Sequence, residues 1–262
     1  MGRLDDKVAI ITGAGEGLGR TMAELFSAEG ARVMLAGRRR ELLDETAQLV
    51  TAAGGAALVV PSDVTDEESV VDLVRTAVAE FGAVDVMLNN ASQPGTDLYL
   101  WEQTLENWNQ CIAAVVTGPM LCTREVLKQS MLERGSGSIV NFSSTASLNG
   151  LVRKSHYGVA KSGLRLLTKT TAHEVGPYGI RCNCVVPGAI ATGLLFRYWD
   201  RIAGERGVSA EEIREESTAA AALRKVASPE EVAQTALFLA SDESSAITGQ
   251  SIIVDAGTSM YG

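Results

Sequence analysis

The segment that decides the fold is Val8-Ala9-Ile10-Ile11-Thr12-Gly13-Ala14-Gly15-Glu16-Gly17-Leu18-Gly19, near the start of the chain. Its first five residues are apolar or β-branched on successive positions, which is typical of a parallel strand buried on both faces. The glycines that follow allow a sharp turn and a close approach of the backbone to an anion. The segment therefore predicts a strand, a phosphate-binding loop and a helix whose N-terminus offers free N–H groups.

Outward from this segment, short apolar runs alternate with longer helical stretches along the whole chain. Seven runs are predicted as strands: Val8 to Thr12, Arg32 to Ala36, Ala57 to Val60, Val84 to Asn89, Ser138 to Phe142, Ile180 to Val186 and Ser251 to Val254. Capping boxes at residues 65–68 and 228–231 indicate helix starts, with Thr65 and Ser228 as the capping residues. The alternation predicts an α/β fold, a doubly wound, seven-stranded parallel sheet with helices on both faces.

The 262 residues contain no linker, charge block or internal repeat, so a single domain over residues 1–262 is predicted. Apolar residues make up 46% and charged residues 21%, as in a compact globular chain. Residues 192–227 form a long strand-free stretch with Phe196, Tyr198 and Trp199. We expect this stretch to be a flap on the substrate side of a site, with a contact between subunits as the alternative.

The charge balance excludes some classes of partner. With 23 Lys and Arg against 32 Asp and Glu, the net charge is −9, which argues against binding to nucleic acid. No apolar run approaches the roughly 20 residues that span a bilayer. The first seven residues are too polar for a signal peptide. We therefore expect a cytoplasmic protein that acts on a small molecule, not on nucleic acid or a membrane.

Four cysteines fit a reducing compartment. Cys182 and Cys184 alternate along a predicted strand and therefore share one face. Two interpretations are open, a metal or redox pair and two small buried hydrophobes. The second is favoured because no His or further Cys pair stands at zinc-ligand spacing. No metal site is predicted.

The glycine loop has the spacing Gly13-x-x-x-Gly17-x-Gly19 and not the common dinucleotide pattern G-x-G-x-x-G. A carboxylate for the ribose 2′-hydroxyl belongs near the end of the second strand, where this chain has Gly37-Arg38-Arg39-Arg40. Arginines here favour a 2′-phosphate, so NADP is the expected cofactor and NAD the alternative. Arg39 and Arg40 are also explained as a solvated helix start, and the carboxylate of Glu16 works against a phosphate.

The candidate catalytic residues are Tyr157, Lys161 and Ser144. Tyr157 and Lys161 are four residues apart at the head of a predicted helix, so their side chains share one face. A nearby ammonium favours the phenolate, and we expect it to lower the tyrosine pKa toward the range useful for proton transfer. Ser144 follows the fifth strand, where its hydroxyl can hydrogen-bond the same substrate oxygen.

With these features the chain resembles the short-chain dehydrogenase/reductase family over nearly its whole length. The resemblance is carried by Thr12-Gly13-x-x-x-Gly17-x-Gly19, Asp63-Val64, Asn89-Asn90-Ala91, Ser144, Tyr157-x-x-x-Lys161, Pro187-Gly188 and Thr248-Gly249-Gln250 with Val254-Asp255. It implies a Rossmann-type domain, an NAD(P) cofactor and a homotetramer or homodimer.

The resemblance also implies a role for each matching residue. Tyr157 would be the general acid/base, Lys161 would lower its pKa and bind the nicotinamide ribose, and Ser144 would orient the carbonyl. Asp63 and Val64 would approach the adenine, and Ile190 the nicotinamide carboxamide. The full set of implied cofactor contacts is Gly13, Gly15, Glu16, Gly17, Leu18, Gly19, Arg38, Asp63, Val64, Asn90, Ala91, Tyr157, Lys161, Pro187, Gly188 and Ile190.

One departure from the family bears on catalysis. Members usually have an Asn seven residues after the Trp of the helix that follows the fourth strand, where it holds a water of a proton relay through the Lys. Counting from Trp108, this chain has Val115. Because valine forms no side-chain hydrogen bond, the relay is altered or served by another group. A milder departure is Ser92, where Gly is common.

Three further residues near the motif invite a role. His156 points about 100° away from Tyr157 on a helix, so it faces away from the Tyr–Lys side, and lining the substrate entrance is its alternative role. Arg153 and Lys154 lie in the loop between Ser144 and Tyr157. They would favour an acidic substrate, or they are simply solvent-facing charges.

The expected function is an NADP-preferring oxidoreductase that interconverts a secondary alcohol and a ketone. The alternatives are an NAD-dependent alcohol dehydrogenase and a cofactor-binding protein with weak or no turnover, for which Val115 is the support. A methyltransferase with a similar sheet is disfavoured because it has no use for the Tyr–Lys pair.

Overall fold

The computed structural model describes residues 2–260 and confirms the predicted α/β class. Its seven strands form one sheet in the order β3-β2-β1-β4-β5-β6-β7, and all six neighbouring pairs are parallel. The strands are β1 (Val8–Thr12), β2 (Arg32–Gly37), β3 (Ala56–Pro61), β4 (Val86–Asn89), β5 (Gly137–Phe142), β6 (Ile180–Pro187) and β7 (Ser251–Val254). The strand order reverses between β1 and β4, and such a switch point opens a crevice at the carboxyl ends of the strands.

Ten helices connect and follow the strands within the described residues. They are α1 (Gly17–Ala28), α2 (Arg40–Ala52), α3 (Glu67–Phe81), α4 (Leu105–Ile112), α5 (Gly118–Val126), α6 (Leu132–Arg134), α7 (Ser155–Val175), α8 (Gly193–Arg206), α9 (Ala210–Ala219) and α10 (Pro229–Ala240). Two π-helical turns, Ala113–Thr117 and Leu127–Met131, join α4, α5 and α6 without a break.

Two cores cover the two faces of the sheet, which explains why the strands are apolar on successive residues. In β1, Ile11 packs into the core formed with α1, α2 and α10. Its neighbour Ile10 packs into the opposite core, formed with α3, α5 and α7. A strand buried on both faces has no polar side, as the sequence of β1 indicates.

Four strands, β2, β3, β5 and β6, extend one residue beyond a predicted end, and two further boundaries differ for reasons that hydrogen bonds explain. The fourth strand starts at Val86 and not at Val84, because the Val84 N–H leaves the sheet and donates to Ser130 Oγ at 2.9 Å. Asp66 and not Thr65 caps α3, and its carboxylate accepts from the Glu68 N–H at 3.1 Å. The Thr65 hydroxyl is already donated to Asp63 Oδ1 at 2.8 Å.

The stretch 192–227 folds into α8 and α9, which share a small apolar cluster of their own around Trp199, Ala203 and Ile213. The two ends of this stretch are brought together by an isolated β-bridge between Ile190 and Ala227. Its role as a flap stays a prediction. Within residues 2–260, no helix combines the length and apolar character needed to cross a membrane.

Candidate active site

The glycine loop between β1 and α1 has the backbone that its sequence predicts. Gly13 and Gly17 have φ of +68° and +54°, a region that favours glycine. At Gly19 a Cβ would lie 2.0 Å from the Gly13 carbonyl oxygen, so only glycine allows the helix to start this close to the strand. The loop can therefore bring its backbone against a ligand without side chains in the way.

The N-terminus of α1 is open to an anion. Glu16 is the N-cap residue, yet its side chain makes no capping hydrogen bond, and the first turn holds no acidic residue. The first N–H groups of a helix have no partner within the helix, and they carry the positive end of its dipole. The residues present thus fit a pyrophosphate, as dinucleotide-binding loops require.

Asn90 supports the loop from the neighbouring strand end. Its Nδ2 donates to the carbonyl oxygens of Thr12 at 2.9 Å and Gly13 at 3.3 Å. Its backbone N–H and that of Ala91 both donate to Thr12 Oγ1 at 3.0 Å. Asn90 and Ala91 therefore fix the glycine loop across the switch point between β1 and β4, and a contact of theirs with the cofactor stays a prediction.

The three arginines after β2 differ in their partners. Arg39 pairs with Glu16, and Arg40 pairs with Asp44 one turn along α2. Arg38 has no ion pair within the described residues. The positive charge of Arg38 reaches Asp63: burial raises the pKa of Asp63, but hydrogen bonds from Thr65 and the charge of Arg38 together hold it below its usual value. Arg38 and Asp63 thus face the same side of the crevice.

Ser144, Tyr157 and Lys161 converge at the carboxyl end of β5. Ser144 lies two residues beyond the strand, and its Oγ accepts from the Ala146 N–H at 3.2 Å. The Lys161 Nζ lies 5.6 Å from the centroid of the Tyr157 ring and donates to the Phe142 carbonyl oxygen at 2.6 Å. Lys161 is buried, so strand and helix hold its ammonium in one place.

The protonation states at this cluster follow mainly from burial. Burial raises the pKa of Tyr157 to about 12, and a hydrogen bond with Ser144 acts in the opposite direction. Burial lowers the pKa of Lys161 to about 8. The lowering of the Tyr157 pKa by Lys161 that the spacing predicts is not found, because desolvation of the phenol dominates and Lys161 spends a hydrogen bond on the strand. Below about pH 8 the pair is therefore a neutral phenol beside an ammonium.

Val115 lies in the π-helical turn Ala113–Thr117, directly beside the catalytic candidates. It is fully buried in an apolar cluster with Cys111, Ala160 and the partly buried Tyr157. Burial raises the pKa of the Cys111 thiol to about 11, so that group is neutral as well. Val115 itself offers no side-chain hydrogen bond at the position of the usual Asn.

The remaining cofactor candidates line the same edge of the sheet. Pro187 ends β6, and the Gly188 N–H donates to the Val254 carbonyl oxygen at 3.0 Å. A Cβ on Gly188 would lie 2.6 Å from the Cβ of Asp255, which explains the glycine. Ile190 then pairs with Ala227. Val64 packs against Gly118 behind Asp63.

The charged loop before Tyr157 belongs to an ion-pair network in which Arg153, Lys154 and Arg201 share the two carboxylates of Asp97 and Glu205. Neither interpretation of Arg153 and Lys154 included these partners. Lys154 Nζ pairs with Asp97 Oδ1 at 2.6 Å, and Arg153 pairs with Glu205 of α8 at 3.3 Å. Asp97 Oδ2 also pairs with Arg201 of α8 at 2.7 Å. Asp97 has no signal in the sequence, because no local pattern indicates that its loop lies against both α7 and α8.

The cysteines are explained by packing. Cys182 and Cys184 are buried in β6, and burial raises the pKa of both thiols, that of Cys184 to about 11. They are therefore protonated and behave as small hydrophobes. Within residues 2–260, no group of three His, Cys, Asp or Glu side chains is arranged to hold a metal ion.

Comparison with known proteins gives the family. A family model described as enoyl-(acyl carrier protein) reductase matches residues 13–259. The 2,5-dichloro-2,5-cyclohexadiene-1,4-diol dehydrogenase of Sphingobium indicum is 37% identical over 259 residues, which cover 98% of each chain. The crystal structure of levodione reductase has a TM-score of 0.91 at 32% identity, covering 98% of this chain and 100% of the other. That of NAD+-bound xylitol dehydrogenase has a TM-score of 0.92 at 28% identity, covering 97% and 99%. The chain therefore belongs to the short-chain dehydrogenase/reductase family of oxidoreductases, whose members bind a nicotinamide cofactor.

Proposed function

We propose that this protein is an NADP-preferring oxidoreductase that interconverts a secondary alcohol and a ketone, with Tyr157, Lys161 and Ser144 as its catalytic residues. The observation that carries the proposal is their convergence at the carboxyl edge of the sheet, beside an uncapped helix N-terminus that suits a pyrophosphate. The two relatives named for an alcohol, a diol dehydrogenase and a xylitol dehydrogenase, support the substrate class.

The residues of the site supply a proton and hold the substrate. A bound nicotinamide cofactor supplies the hydride for reduction or accepts it in the reverse direction. Tyr157 holds its proton at Oη through neutral pH, since burial raises its pKa to about 12. That state suits an acid that protonates a carbonyl oxygen as negative charge develops on it. Ser144 hydrogen-bonds the same oxygen and orients the carbonyl, and its hydrogen bond to Tyr157 favours the phenolate that remains. The Lys161 ammonium, 5.6 Å from the centroid of the Tyr157 ring, would bind the nicotinamide ribose.

The preference for NADP rests on Arg38. It follows Gly37, where a carboxylate would be needed to select NAD, and its guanidinium has no ion pair of its own within the described residues. Arg39 forms an ion pair with Glu16, so the negative charge of the Glu16 carboxylate toward a 2′-phosphate is compensated. One unpaired guanidinium is a good partner for a 2′-phosphate.

Two alternative functions are each supported by one residue. An NAD-dependent alcohol dehydrogenase is favoured by the NAD+-bound state of the xylitol dehydrogenase structure, and by Glu16 only if its ion pair with Arg39 opens when the cofactor binds. A cofactor-binding protein with weak turnover is favoured by Val115, because its burial in an apolar cluster provides no group to hold a relay water.

The experiment measures consumption of NADPH and of NADH over a panel of cyclic and acyclic ketones, and the reverse reaction over the matching alcohols. Turnover of at least one ketone with a higher kcat/KM for NADPH supports the proposal. A higher kcat/KM for NADH replaces it with the first alternative. Tight cofactor binding without turnover, restored by Val115→Asn, replaces it with the second.

The cofactor preference has a test that does not need turnover. Binding of adenosine 2′,5′-bisphosphate and of 5′-AMP is measured by calorimetry on the native chain, Arg38→Ala and Arg40→Ala. A charge-assisted contact is worth about 1.5–3 kcal/mol, so Arg38→Ala should weaken bisphosphate binding by about tenfold or more and leave 5′-AMP unchanged. Arg40→Ala, the matched control, should change neither, since Arg40 pairs with Asp44. Equal binding of the two nucleotides to the native chain would contradict the preference.

A further inference from the structure

The head of α7, which carries Tyr157, is held by side chains from another loop. Its N-cap residue, Lys154, makes no capping hydrogen bond. The loop between β4 and α4, residues 90–99, lies against it instead. The Leu98 N–H donates to the Arg153 carbonyl oxygen at 3.1 Å, and Asp97 pairs with Lys154 at 2.6 Å. The position of the helix head therefore depends on this loop.

His156 makes the buried contact between the two segments. The ring has no exposed surface, its Nε2 lies 2.8 Å from the Pro94 carbonyl oxygen, and its Nδ1 lies 2.7 Å from Gln103 Nε2. Gln103 Oε1 in turn accepts from Asn107 Nδ2 at 2.6 Å. His156 is thus neither a substrate-entrance residue nor a surface residue.

The backbone of Thr96 determines the orientation of the side-chain amides of Asn107 and Gln103. The Thr96 N–H donates to Asn107 Oδ1 at 2.7 Å, and Asn107 Nδ2 donates to the Thr96 carbonyl oxygen at 3.0 Å. Asn107 therefore has only one orientation. Its Nδ2 must meet an acceptor on Gln103, which leaves Gln103 Nε2 to donate toward His156.

The other end fixes the imidazole independently. The Pro94 carbonyl oxygen can only accept, so His156 Nε2 must carry the hydrogen. His156 Nδ1 must be unprotonated in order to accept from Gln103. The two ends demand the same tautomer, neutral with the hydrogen on Nε2. Gly95 belongs to the arrangement too, because a Cβ there would lie 2.6 Å from Asn107 Oδ1 and 3.0 Å from His156 Nε2.

We propose that His156 is a positioning residue for Tyr157: its Nε2–H tautomer, set by Gln103 and Asn107, fastens the loop 90–99 to the head of α7 and so fixes the phenol against the substrate. The proposal rests on the proposed function of Tyr157. The ion pair of Arg153 with Glu205 is exposed to solvent and is a weak restraint, and that of Lys154 with Asp97 is partly buried, whereas the contact of His156 is fully buried.

Three variants distinguish the hydrogen bond at Nε2 of His156 from the one at Nδ1. His156→Leu removes both hydrogen bonds. His156→Gln places an amide nitrogen at the position of Nε2 and keeps the donor to Pro94. His156→Asn keeps only an acceptor near the position of Nδ1 and does not reach Pro94.

Turnover and nucleotide binding are measured on all three variants. His156→Leu should lower kcat by about ten- to a hundredfold, the loss expected from misplacing a reacting group by about 1 Å. Its affinity for 5′-AMP should not change, since the glycine loop is untouched. His156→Gln should recover most of kcat and His156→Asn should not. If the Leu variant fails to fold, the contrast between Gln and Asn still decides. Native kcat in the Leu or Asn variant would overturn the proposal.

A second readout does not use turnover. The chain has two histidines, and His173 is exposed, so His173→Gln leaves one imidazole to observe. With 15N-labelled histidine at about pH 8, long-range 1H–15N spectra should show His156 protonated at Nε2 and bare at Nδ1. A hydrogen on Nδ1 would overturn the proposal. If the native chain turns over no substrate, the proposed function falls and the positioning role with it, and the spectrum shows whether the network itself is present.

Discussion

Two helices of the active site, α1 and α7, both begin without a capping side chain, but the consequences differ. At α1 the glycine loop leaves the first N–H groups bare for a ligand, with no side chain in the way. At α7 the head carries reactive side chains, and a distant loop holds it in place. By contrast, α9 and α10 are closed by complete capping boxes at Ser209 and Ser228. Because α2 and α8 also begin without a capping side chain, the contrast between α1 and α7 lies in what each uncapped helix start does and not in the missing cap itself.

The two helix starts also differ in how far away in sequence their determinants lie. The opening of α1 is decided by glycines within seven residues of one another. The position of α7 depends on Pro94 and Gln103, which are 62 and 53 residues away from His156 in sequence.

The largest effect is expected at the glycine loop. Gly19→Ala forces a Cβ to within 2.0 Å of the Gly13 carbonyl oxygen, and neither the backbone oxygen nor the Cβ, which is fixed to the helix backbone, can turn away. The variant should lose about 3 kcal/mol of unfolding free energy or more, together with 5′-AMP binding. Gly204→Ala in α8 is the control: no atom lies within 4 Å of its added Cβ, and about 1 kcal/mol should be gained. Urea unfolding and calorimetry measure both, and an unchanged Gly19 variant would contradict the close packing of loop and helix.

A smaller effect is expected from the buried ammonium at α7. The pKa of Lys161 falls from 10.5 to about 8, so between these pH values the unfolded chain binds more protons than the folded one. Stability contributed through Lys161 therefore rises with pH across this window. Relative to Lys161→Met, the native chain should gain up to about 3 kcal/mol of unfolding free energy between pH 8 and 10.5.

The comparison with Lys161→Met cancels the titration of Cys122 and Cys182, whereas Cys111 and Cys184, whose pKa the charge of Lys161 lowers, contribute to the difference. Denaturant unfolding at several pH values in this window gives the difference directly. A difference that stays constant with pH would show that the ammonium is not desolvated.

The smallest effect compares two serines at helix heads. Ser228 Oγ accepts from the Glu231 N–H at 3.2 Å and caps α10, so Ser228→Ala should cost about 1 kcal/mol of unfolding free energy without changing kcat. Ser155 begins α7, but its buried Oγ has no hydrogen-bond partner. Ser155→Ala should therefore be neutral or slightly stabilising. Equal losses in thermal unfolding would mean that both helix heads are capped alike.

The features that could be predicted from the sequence are those with local signals, and the features that could not be predicted depend on distant contacts or on burial. The strands, the glycine loop and the Ser228 box were predicted because their signals are local. The N-cap of α3 was predicted at Thr65 but lies at Asp66. The sequence does not reveal this shift, because it depends on the hydrogen bond that the Thr65 hydroxyl donates to Asp63. The pKa of Tyr157 was expected to fall, but burial, which spacing does not reveal, raises it. Asp97 and Gln103 carried no signal, since their importance comes from the loop that tertiary packing brings to α7.

Proton transfer by Tyr157, at the head of α7, is the step on which the proposed oxidoreductase activity depends. Its most direct test is ketone reduction by Tyr157→Phe, with Tyr178→Phe, an exposed tyrosine, as the control. Loss of a general acid should lower kcat by about 10²–10⁴-fold while nucleotide affinity stays native, and the control should keep full activity. A Tyr157→Phe variant that reduces the ketone at the native rate would contradict the account.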